Sequence, residues 1–260
     1  MLSDEQRQAA ADAILDAERT RVPCVQLSKQ WPDMTLEDAY DVQRRWTRGR
    51  SERGARVIGR KIGLTSRAMQ MASNMTEPDY GVILDDSLYH DGARIAAGTF
   101  IKPRLETELA FVMGRDLAGC GCQMHDILAA TDYVSPALEI IDYRTEVPRA
   151  IVDTISDNAA YGAIVLGGRI VRPLDIDLRW QAATLSKNGV IEESGVSAAI
   201  MGHPAAGVAW LVNKLADQGD GLKKGDIVLG GSFTRPIDIA SGDVVFADYG
   251  SLGSIGVSFE

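Results

Sequence analysis

Cysteine and histidine are scarce in this chain of 260 residues. The three cysteines are Cys24, Cys120 and Cys122, an odd number without the spacing of a disulfide framework. Cys120 and Cys122 also lack a second cysteine or histidine pair that could complete a zinc site. We therefore expect three free thiols. Among the scattered histidines, His125 and His203 stand just ahead of helix-like segments, where we expect caps or solvated positions.

Positive charge and long apolar runs are also lacking. Lysine and arginine total 27 against 36 acidic residues, and the net charge of −9 argues against a nucleic-acid partner and against an anionic membrane surface. No apolar run approaches the length that spans a bilayer. Residues 1–7 are polar and acidic without a signal-peptide core, so we expect a cytoplasmic protein.

The glycine motifs of dinucleotide folds, P-loops and nucleophile elbows are absent. Helices cluster at the start of the chain, where 4–20 is amphipathic and a second helix, capped by Thr35, continues to about residue 52. Strands dominate the middle and the end, an order that favours an α+β fold over alternating βαβ units. We expect an N-terminal helical region, 1–55, and a β-rich region, 56–260, in one compact unit.

Turn signals punctuate the C-terminal third. Asn188-Gly189 predicts a hairpin, and Pro204 opens a helix that continues to about Ala216. Beyond it, glycines separate short strands, which predicts an antiparallel sheet curled into a barrel or roll. These strands are expected at 226–229, 236–239, 244–248 and 254–259.

Residues 103–112 (PRLETELAFV) predict a strand because two sets of residues alternate along them. One set is Leu105, Thr107, Leu109 and Phe111, and the other is Glu106, Glu108, Ala110 and Val112. Side chains at alternate strand positions share a face, so the two carboxylates lie roughly 7 Å apart along the backbone. The same face continues with Ala110 and Val112, so it becomes apolar just past the carboxylates. Two like charges beside a buried surface are costly unless a cation neutralises them.

A third carboxylate, Glu139, lies in the apolar segment 136–142 (PALEIID), with Ala137 and Ile141 as its neighbours on the same face. Three oxygen donors suit a hard divalent cation, Mg²⁺ or Mn²⁺, with open positions for water or substrate. The alternative is that Glu106 and Glu108 are solvated at the rim of an edge strand. Spacing alone leaves both interpretations open.

Other polar positions are ambiguous by composition. Residues 57–66 predict a strand that leads into a loop, and composition alone favours an exposed lysine at Lys61. The segment 77–81 (EPDYG) has turn chemistry, and the polar cluster 153–158 is typical of a turn and helix cap.

Six short motifs follow one another along nearly the whole chain: 59–66 (GRKIGLTS), 77–81 (EPDYG), 103–108 (PRLETE), 137–142 (ALEIID), 156–159 (SDNA) and 230–234 (GGSFT). Together they resemble the 2-keto-4-pentenoate hydratase family, within the fumarylacetoacetate-hydrolase superfamily. The likeness is greatest to the 2-oxohept-4-ene-1,7-dioate hydratases of aromatic-compound degradation. The related 4-oxalocrotonate decarboxylases share most of these motifs.

The resemblance implies a mixed β-barrel or roll with an N-terminal helical region, the β-rich part being catalytic, and a homo-oligomeric assembly. It implies that Glu106, Glu108 and Glu139 hold Mg²⁺ or Mn²⁺, which chelates the C1 carboxylate and C2 oxygen of a 2-oxo or 2-hydroxy dienoic acid. Lys61 and Asp79 are implied as catalytic residues over the far carbons of the substrate. The implied substrate-lining residues are Leu64, Thr65, Ser66 and Ser156.

Two features depart from the heptenedioate hydratase pattern. The loop after the Glu139 strand is short, and Arg60 stands where histidine is expected beside the lysine. Both features put a second carboxylate on the substrate in doubt. For Arg60, Arg144 and Arg149 we expect surface charge, with anion binding as the alternative.

Four functions are weighed. The first is a metal-dependent hydratase, a lyase that adds water to a 2-hydroxydienoate, and the second is a 4-oxalocrotonate decarboxylase. The sequence at 230–235 (GGSFTR) favours the hydratase. The third, an acylpyruvate C–C hydrolase, needs a histidine base that no motif here supplies. The fourth is a non-catalytic acidic binding protein with solvated glutamates.

Overall fold

A computed structural model describes residues 1–96 and 98–260 of the protein. Helices are concentrated before the first strand, and the others are short apart from the last one. In order they are α1 Asp4–Thr20, α2 Leu27–Gln30, α3 Leu36–Glu52, α4 Arg67–Ala72, α5 Met124–Ala130, α6 Ile151–Ser156 and α7 Pro204–Ala216. No helix in the described residues is both long enough and apolar enough to span a membrane.

After residue 56 the described chain has more residues in strands than in helices. In order the strands are β1 Val57–Gly63, β2 Asp79–Leu84, β3 Leu88–His90, β4 Ala93–Ile95, β5 Arg104–Met113, β6 Leu117–Ala118, β7 Thr131–Ile141, β8 Tyr161–Leu166, β9 Ala182–Lys187, β10 Val190–Val196, β11 Gly221–Leu222, β12 Ile227–Leu229, β13 Ile237–Asp238, β14 Val244–Asp248 and β15 Ser254–Phe259.

The N-terminal helices begin at capping boxes. Ser3 caps α1 with Gln6, and Thr35 caps α3 with Asp38, so backbone N–H groups that lack a partner within the helix are satisfied at both starts. Ile14 on α1 and Trp46 on α3 are fully buried in one shared apolar cluster. Both predicted helices are confirmed, and α3 also packs against α6, next to the central sheet.

The larger sheet has the strand order β2-β1-β12-β5-β7-β8-β3, with β13 also paired to β5. Its two longest strands, β5 and β7, are antiparallel neighbours, and Glu106 lies directly opposite Glu139. Leu105 and Leu109, on the other face of β5, are fully buried in the main apolar cluster. This register places all the predicted carboxylates on one face of the sheet.

The second sheet has the order β10-β9-β14-β15-β4, and β11 pairs with β6 separately. The turn at Asn188-Gly189 joins β9 to β10, as predicted. Predicted strands in the last third are also present, although β13 is shorter than expected. The chain is thus a mixed α and β protein with N-terminal helices. Its strand pairings are those of open sheets, so closure into a barrel or roll is not confirmed.

Two local predictions differ from the structure. Residues 79–81, predicted as part of a turn, form the first half of β2, because β1 supplies an antiparallel partner for each of them. The polar segment 153–158 contributes mainly to α6, in which Asp153 accepts a hydrogen bond from the backbone N–H of Ala150. The predicted cap at His203 is confirmed, since its Nδ1 accepts a hydrogen bond from the Ala205 backbone. The three cysteines are free, as expected.

Candidate active site

Three glutamates converge on one face of the central sheet. Glu106 and Glu139 are cross-strand partners, and Glu108 is two residues further along β5. One carboxylate oxygen from each residue lies within 4.8 Å of the other two. Glu108 and Glu139 are fully buried, and Glu106 is partly exposed. The structure therefore brings together the three residues for which the sequence predicted a common cation.

Most carboxylate oxygens of Glu108 and Glu139 accept no hydrogen bond within the part of the chain that the structure describes. Glu108 accepts one bond from the backbone N–H of Gly231, at 2.8 Å. Its other oxygen and both oxygens of Glu139 accept no hydrogen bond from the described residues, although Lys61 Nζ lies 3.1 Å from Glu139 Oε1 as an ion pair. Burial raises the pKa of Glu108 well above its usual range, and repulsion from Glu139 and Glu106 adds to this effect. Unsatisfied, clustered and buried carboxylate oxygens fit a divalent cation, which would neutralise them.

Lys61 reaches the same cluster from β1, the strand between β2 and β12. It is only 4% exposed, so the composition-based expectation of an exposed lysine is wrong. Its Nζ donates a hydrogen bond to the Ala159 carbonyl at 2.8 Å and forms an ion pair with Glu139 at 3.1 Å. Burial opposes the charged form, but Glu139 and Asp79 outweigh it and raise the pKa of Lys61 above its usual value. The neighbouring carboxylates therefore favour the ammonium form of Lys61.

Asp79 lies beside Lys61 on β2, buried, and neither of its oxygens has a hydrogen-bond partner in the described residues. Burial raises the pKa of this carboxyl, although Lys61 and Arg149 oppose the shift. Opposite Asp79 on β1 is Gly63. A Cβ atom at Gly63 would lie 2.2 Å from Asp79 Oδ1 and 3.4 Å from Lys61 Nζ, so only glycine leaves room for this pair. Sequence reasoning gave Gly63 no such role, because the close contact depends on the β1–β2 register.

The acceptor for Lys61 comes from an unusual backbone segment. Asn158, Ala159 and Ala160 all adopt left-handed φ angles, of 51°, 51° and 62°. Such a conformation is unfavourable for residues with a side chain and needs support from its surroundings. The Asn158 side chain supplies it by bonding both the N–H and the carbonyl of Val82, at 2.8 and 2.9 Å. This segment therefore fixes the Ala159 carbonyl against Lys61.

The four predicted substrate-lining residues occupy different environments. Thr65 is buried, and its Oγ1 lies against Gly231, which bonds Glu108. Ser156 is fully buried and its hydroxyl has no partner among the described residues. Ser66 caps α4 through a hydrogen bond from Met69 N, and Leu64, with a φ of 55°, accepts a bond from Gln70. A role in substrate binding stays a prediction for all four.

Two of the arginines expected at the surface are buried. Arg144 is 3% exposed and the side chain of Arg149 is 8% exposed. Both bind Asp157, which accepts from the Arg144 backbone at 2.9 Å and from Arg149 Nη1 at 3.2 Å. The expectation of surface charge is wrong for these two residues because Asp157, on another segment, compensates their charge. Arg60 is partly exposed and pairs with Asp220 at 3.1 Å.

A surface groove of about 580 Å³ lies elsewhere, along β9 and β10 and the turn at 250–251. Neither the three glutamates nor Lys61 line it. We therefore assign the chemistry to the carboxylate cluster, where buried charges and unsatisfied oxygens meet.

Comparison with known proteins gives a consistent picture. Residues 56–259 match the family described as fumarylacetoacetate (FAA) hydrolase C-terminal. The chain is 50% identical over 256 residues to 2-oxo-hept-4-ene-1,7-dioate hydratase of Escherichia coli, with 96% of each chain covered. It is 39% identical to 2-hydroxyhexa-2,4-dienoate hydratase of Comamonas testosteroni, with 98% of this chain and 97% of the relative covered.

Among solved structures, the 4-oxalocrotonate decarboxylase from Pseudomonas putida G7, complexed with magnesium and adipate, superposes with a TM-score of 0.97. It is 35% identical and covers 100% of this chain and 99% of its own. The resemblance predicted from the six motifs is confirmed. By sequence match, by fold and by the likeness of its full length to these enzymes, the chain belongs to the fumarylacetoacetate hydrolase family.

Proposed function

We propose that the protein is a metal-dependent hydro-lyase that adds water to a 2-hydroxydienoate or 2-oxo-enoate intermediate of aromatic-compound degradation. The observation that carries this proposal is the meeting of three carboxylates and a buried lysine in one cluster. The similarity to two hydratases over almost the whole chain supports the reaction class.

Glu106, Glu108 and Glu139 would hold Mg²⁺ or Mn²⁺, because their carboxylate oxygens cluster and those of Glu108 and Glu139 are buried and mostly without hydrogen-bond donors in the described residues. When bound, the cation polarises the oxo-acid end of a conjugated substrate and stabilises enolate charge. Gly231 fixes one oxygen of Glu108, so the carboxylate is oriented before any ion arrives.

Lys61 is the proposed proton donor to the distal carbon. An ammonium has three donor hydrogens, and the Ala159 carbonyl takes one of them while the ion pair with Glu139 fixes the side chain. Asp79, buried and made more basic by its surroundings, is the proposed acceptor of a proton from the attacking water. The hydroxide then joins the carbon next to the one that Lys61 protonates. A proton passed from Asp79 back to Lys61 restores both groups.

These roles have a direct test. Replacement of Lys61 or Asp79 by alanine is expected to lower turnover strongly, because each removes one of the two proton-transfer groups. Near-normal turnover in both variants would show the assignment to be wrong. In the same proposal, Leu64, Thr65, Ser66 and Ser156 line the substrate.

The second candidate is a 4-oxalocrotonate decarboxylase. The likeness to the decarboxylase of known structure supports it, since the same carboxylate cluster would serve either reaction. An acylpyruvate hydrolase is not favoured, because none of the three histidines belongs to the cluster: His203 caps a helix, and His90 and His125 are exposed.

One product assay separates these reactions. The protein is incubated with 2-hydroxypenta-2,4-dienoate, 2-oxohept-4-ene-1,7-dioate and 4-oxalocrotonate, each with and without Mg²⁺. The proposal expects a hydrated product that depends on the metal. Release of CO₂ from 4-oxalocrotonate without hydration of the other two compounds would favour the decarboxylase instead.

A cytoplasmic location, a homo-oligomeric assembly and closure of the sheets into a roll belong to the same proposal. These three parts rest on membership of the fumarylacetoacetate hydrolase family. Light scattering after size-exclusion chromatography tests the assembly.

A further inference from the structure

Three side chains form a rim beside the carboxylate cluster that the proposed chemistry does not use. Tyr143 follows β7, Arg149 precedes α6, and Arg104 opens β5. The Arg149 guanidinium lies 3.7 Å from the centroid of the Tyr143 ring. Arg104 Nη1 donates to the Tyr143 hydroxyl at 3.3 Å. Tyr143 therefore contacts one arginine with its ring and the other with its hydroxyl. We call Arg104, Tyr143 and Arg149 the arginine rim.

The arginine rim lies beside the carboxylate cluster on one side and the segment that contacts Lys61 on the other. Arg104 lies two residues before Glu106 on the same face of β5, which places it roughly 7 Å along the strand. Arg149 binds Asp157, which immediately precedes the segment whose Ala159 carbonyl holds Lys61. The charge of Arg149 also lowers the pKa of Asp79, against the larger effect of burial.

Arg149 and Arg104 each have guanidinium N–H groups that donate no hydrogen bond within the described residues. Arg149 is more than nine-tenths buried, yet among the described residues only its Nη1 donates, to Asp157, while Nε and Nη2 have no acceptor. Asp157 pairs with both Arg149 and Arg144, and Arg144 also lies 3.7 Å from Glu18. Arg104 uses Nε for Asp238, whose side chain is 67% exposed, and leaves Nη2 free. Guanidinium donors that the protein leaves unused are suited to a planar carboxylate.

We propose that the arginine rim binds the distal carboxylate of a dicarboxylate substrate, with Arg149 as the principal contact and Arg104 as the second. This inference rests on the proposed function, because it takes the oxo-acid end of the substrate to lie at Glu106, Glu108 and Glu139. From C2 to C7 of a heptenedioate the distance is roughly 6 Å, given C–C bonds of about 1.5 Å. That span is comparable with the roughly 7 Å of backbone between Arg104 and Glu106 along β5, so a substrate with a second carboxylate is compatible with this placement.

Binding of saturated analogues tests the arginine rim without turnover. The protein with Mg²⁺ is titrated calorimetrically with 2-oxoheptanedioate and with 2-oxoheptanoate, which differ only at C7. We expect wild type to bind the dicarboxylate about 10–100-fold more tightly, the range for hydrogen bonds to charged groups. Arg149→Gln should abolish most of this ratio, and Arg149→Lys should restore part of it, because the charge returns without the planar fork.

Two further variants keep the test decisive. Arg172→Gln is the matched control: Arg172 is an exposed arginine paired with Asp175, and this change should preserve the ratio. Arg104→Gln, which breaks only a contact with an exposed aspartate and one with Tyr143, should lower the ratio about 2–10-fold even if Arg149→Gln fails to fold.

The outcomes separate this inference from the proposed function. Equal affinity of wild type for both analogues, or an unchanged ratio in folded Arg149→Gln, would overturn the arginine rim while hydration of 2-hydroxypenta-2,4-dienoate upholds the reaction. If wild type binds neither analogue and hydrates neither 2-hydroxypenta-2,4-dienoate nor 2-oxohept-4-ene-1,7-dioate, both proposals are wrong.

Discussion

Replacement of Gly63 by alanine should damage the active site more than the fold. The new Cβ would lie 2.2 Å from Asp79 Oδ1, against an ordinary contact of about 3.4 Å or more, so the carboxyl must move by about 1 Å. Asp79 is buried, with the ammonium of Lys61 on the same side of the sheet, and it has little space into which to move. A misplacement of this size can lower turnover about 100-fold. Overpacking of a dense site costs about 1–3 kcal/mol of unfolding free energy.

Gly256→Ala is the matched control for this change. Gly256 also lies in a strand, β15, but its added Cβ would meet no atom closer than 3.8 Å. We expect unchanged turnover and a stability equal to or slightly above that of wild type, because alanine restricts the unfolded chain. Steady-state hydration kinetics and urea unfolding give the two readouts for both variants. If Gly63→Ala keeps wild-type turnover, Asp79 does not need its observed position and the reasoning is wrong.

Three further results are expected. Despite burial, hydrogen bonds from Thr35 and other donors lower the pKa of Asp38 to about 2, so its contribution to stability is present above about pH 4 and is lost as the pH falls towards 2. Asp38→Asn should flatten that acid limb in thermal melts, and an unchanged limb would contradict the assignment. Asn158→Ala removes two buried hydrogen bonds to Val82 and should lower the free energy of unfolding in urea by about 2–4 kcal/mol. Activity should also fall, because the backbone segment that carries the Ala159 carbonyl loses its support. A decrease in unfolding free energy below about 0.5 kcal/mol would show that the two bonds are not needed. Removal of metal with a chelator should lower the melting temperature, since a ligand at 100 times its Kd contributes about 2.7 kcal/mol; identical melts with and without Mg²⁺ would speak against a resident ion.

Local sequence patterns were sufficient for much of the fold. Alternation along 103–112 predicts β5 and places Glu106 and Glu108 on one face, as observed. Caps at Thr35 and His203 and the turn at Asn188-Gly189 are short-range features whose residue types carry their own geometry. Such elements can be predicted because the residues that determine them are neighbours in the chain.

The positions of several site residues depend on contacts between segments that are distant in the chain, and local sequence patterns could not predict them. The pairing of Glu106 with Glu139 joins two strands separated by α5 and the short strand β6, and only their register makes the two side chains direct neighbours. Composition predicted an exposed lysine at Lys61, but its strand lies between β2 and β12 and the side chain is buried. Arg144 and Arg149 were expected at the surface because no local sequence pattern indicates that Asp157 is their buried ion-pair partner.

The motif likeness supplied the rest of the prediction. It identified Lys61, Asp79 and the three glutamates as one site, and the structure places these residues together. It gave no role to Gly63 or to the left-handed segment at 158–160, whose importance appears only when neighbouring atoms are in place.

A Mn²⁺ titration of the protein freed of metal tests the central claim most directly. Free Mn²⁺ is followed by its electron paramagnetic resonance signal for wild type, for Glu139→Gln and for Glu192→Gln, a control at an exposed strand position. The account predicts one tight Mn²⁺ per chain in wild type and in the control, and binding weakened at least 100-fold in Glu139→Gln. Equal affinity in all three proteins, or no stoichiometric binding by wild type, would contradict it.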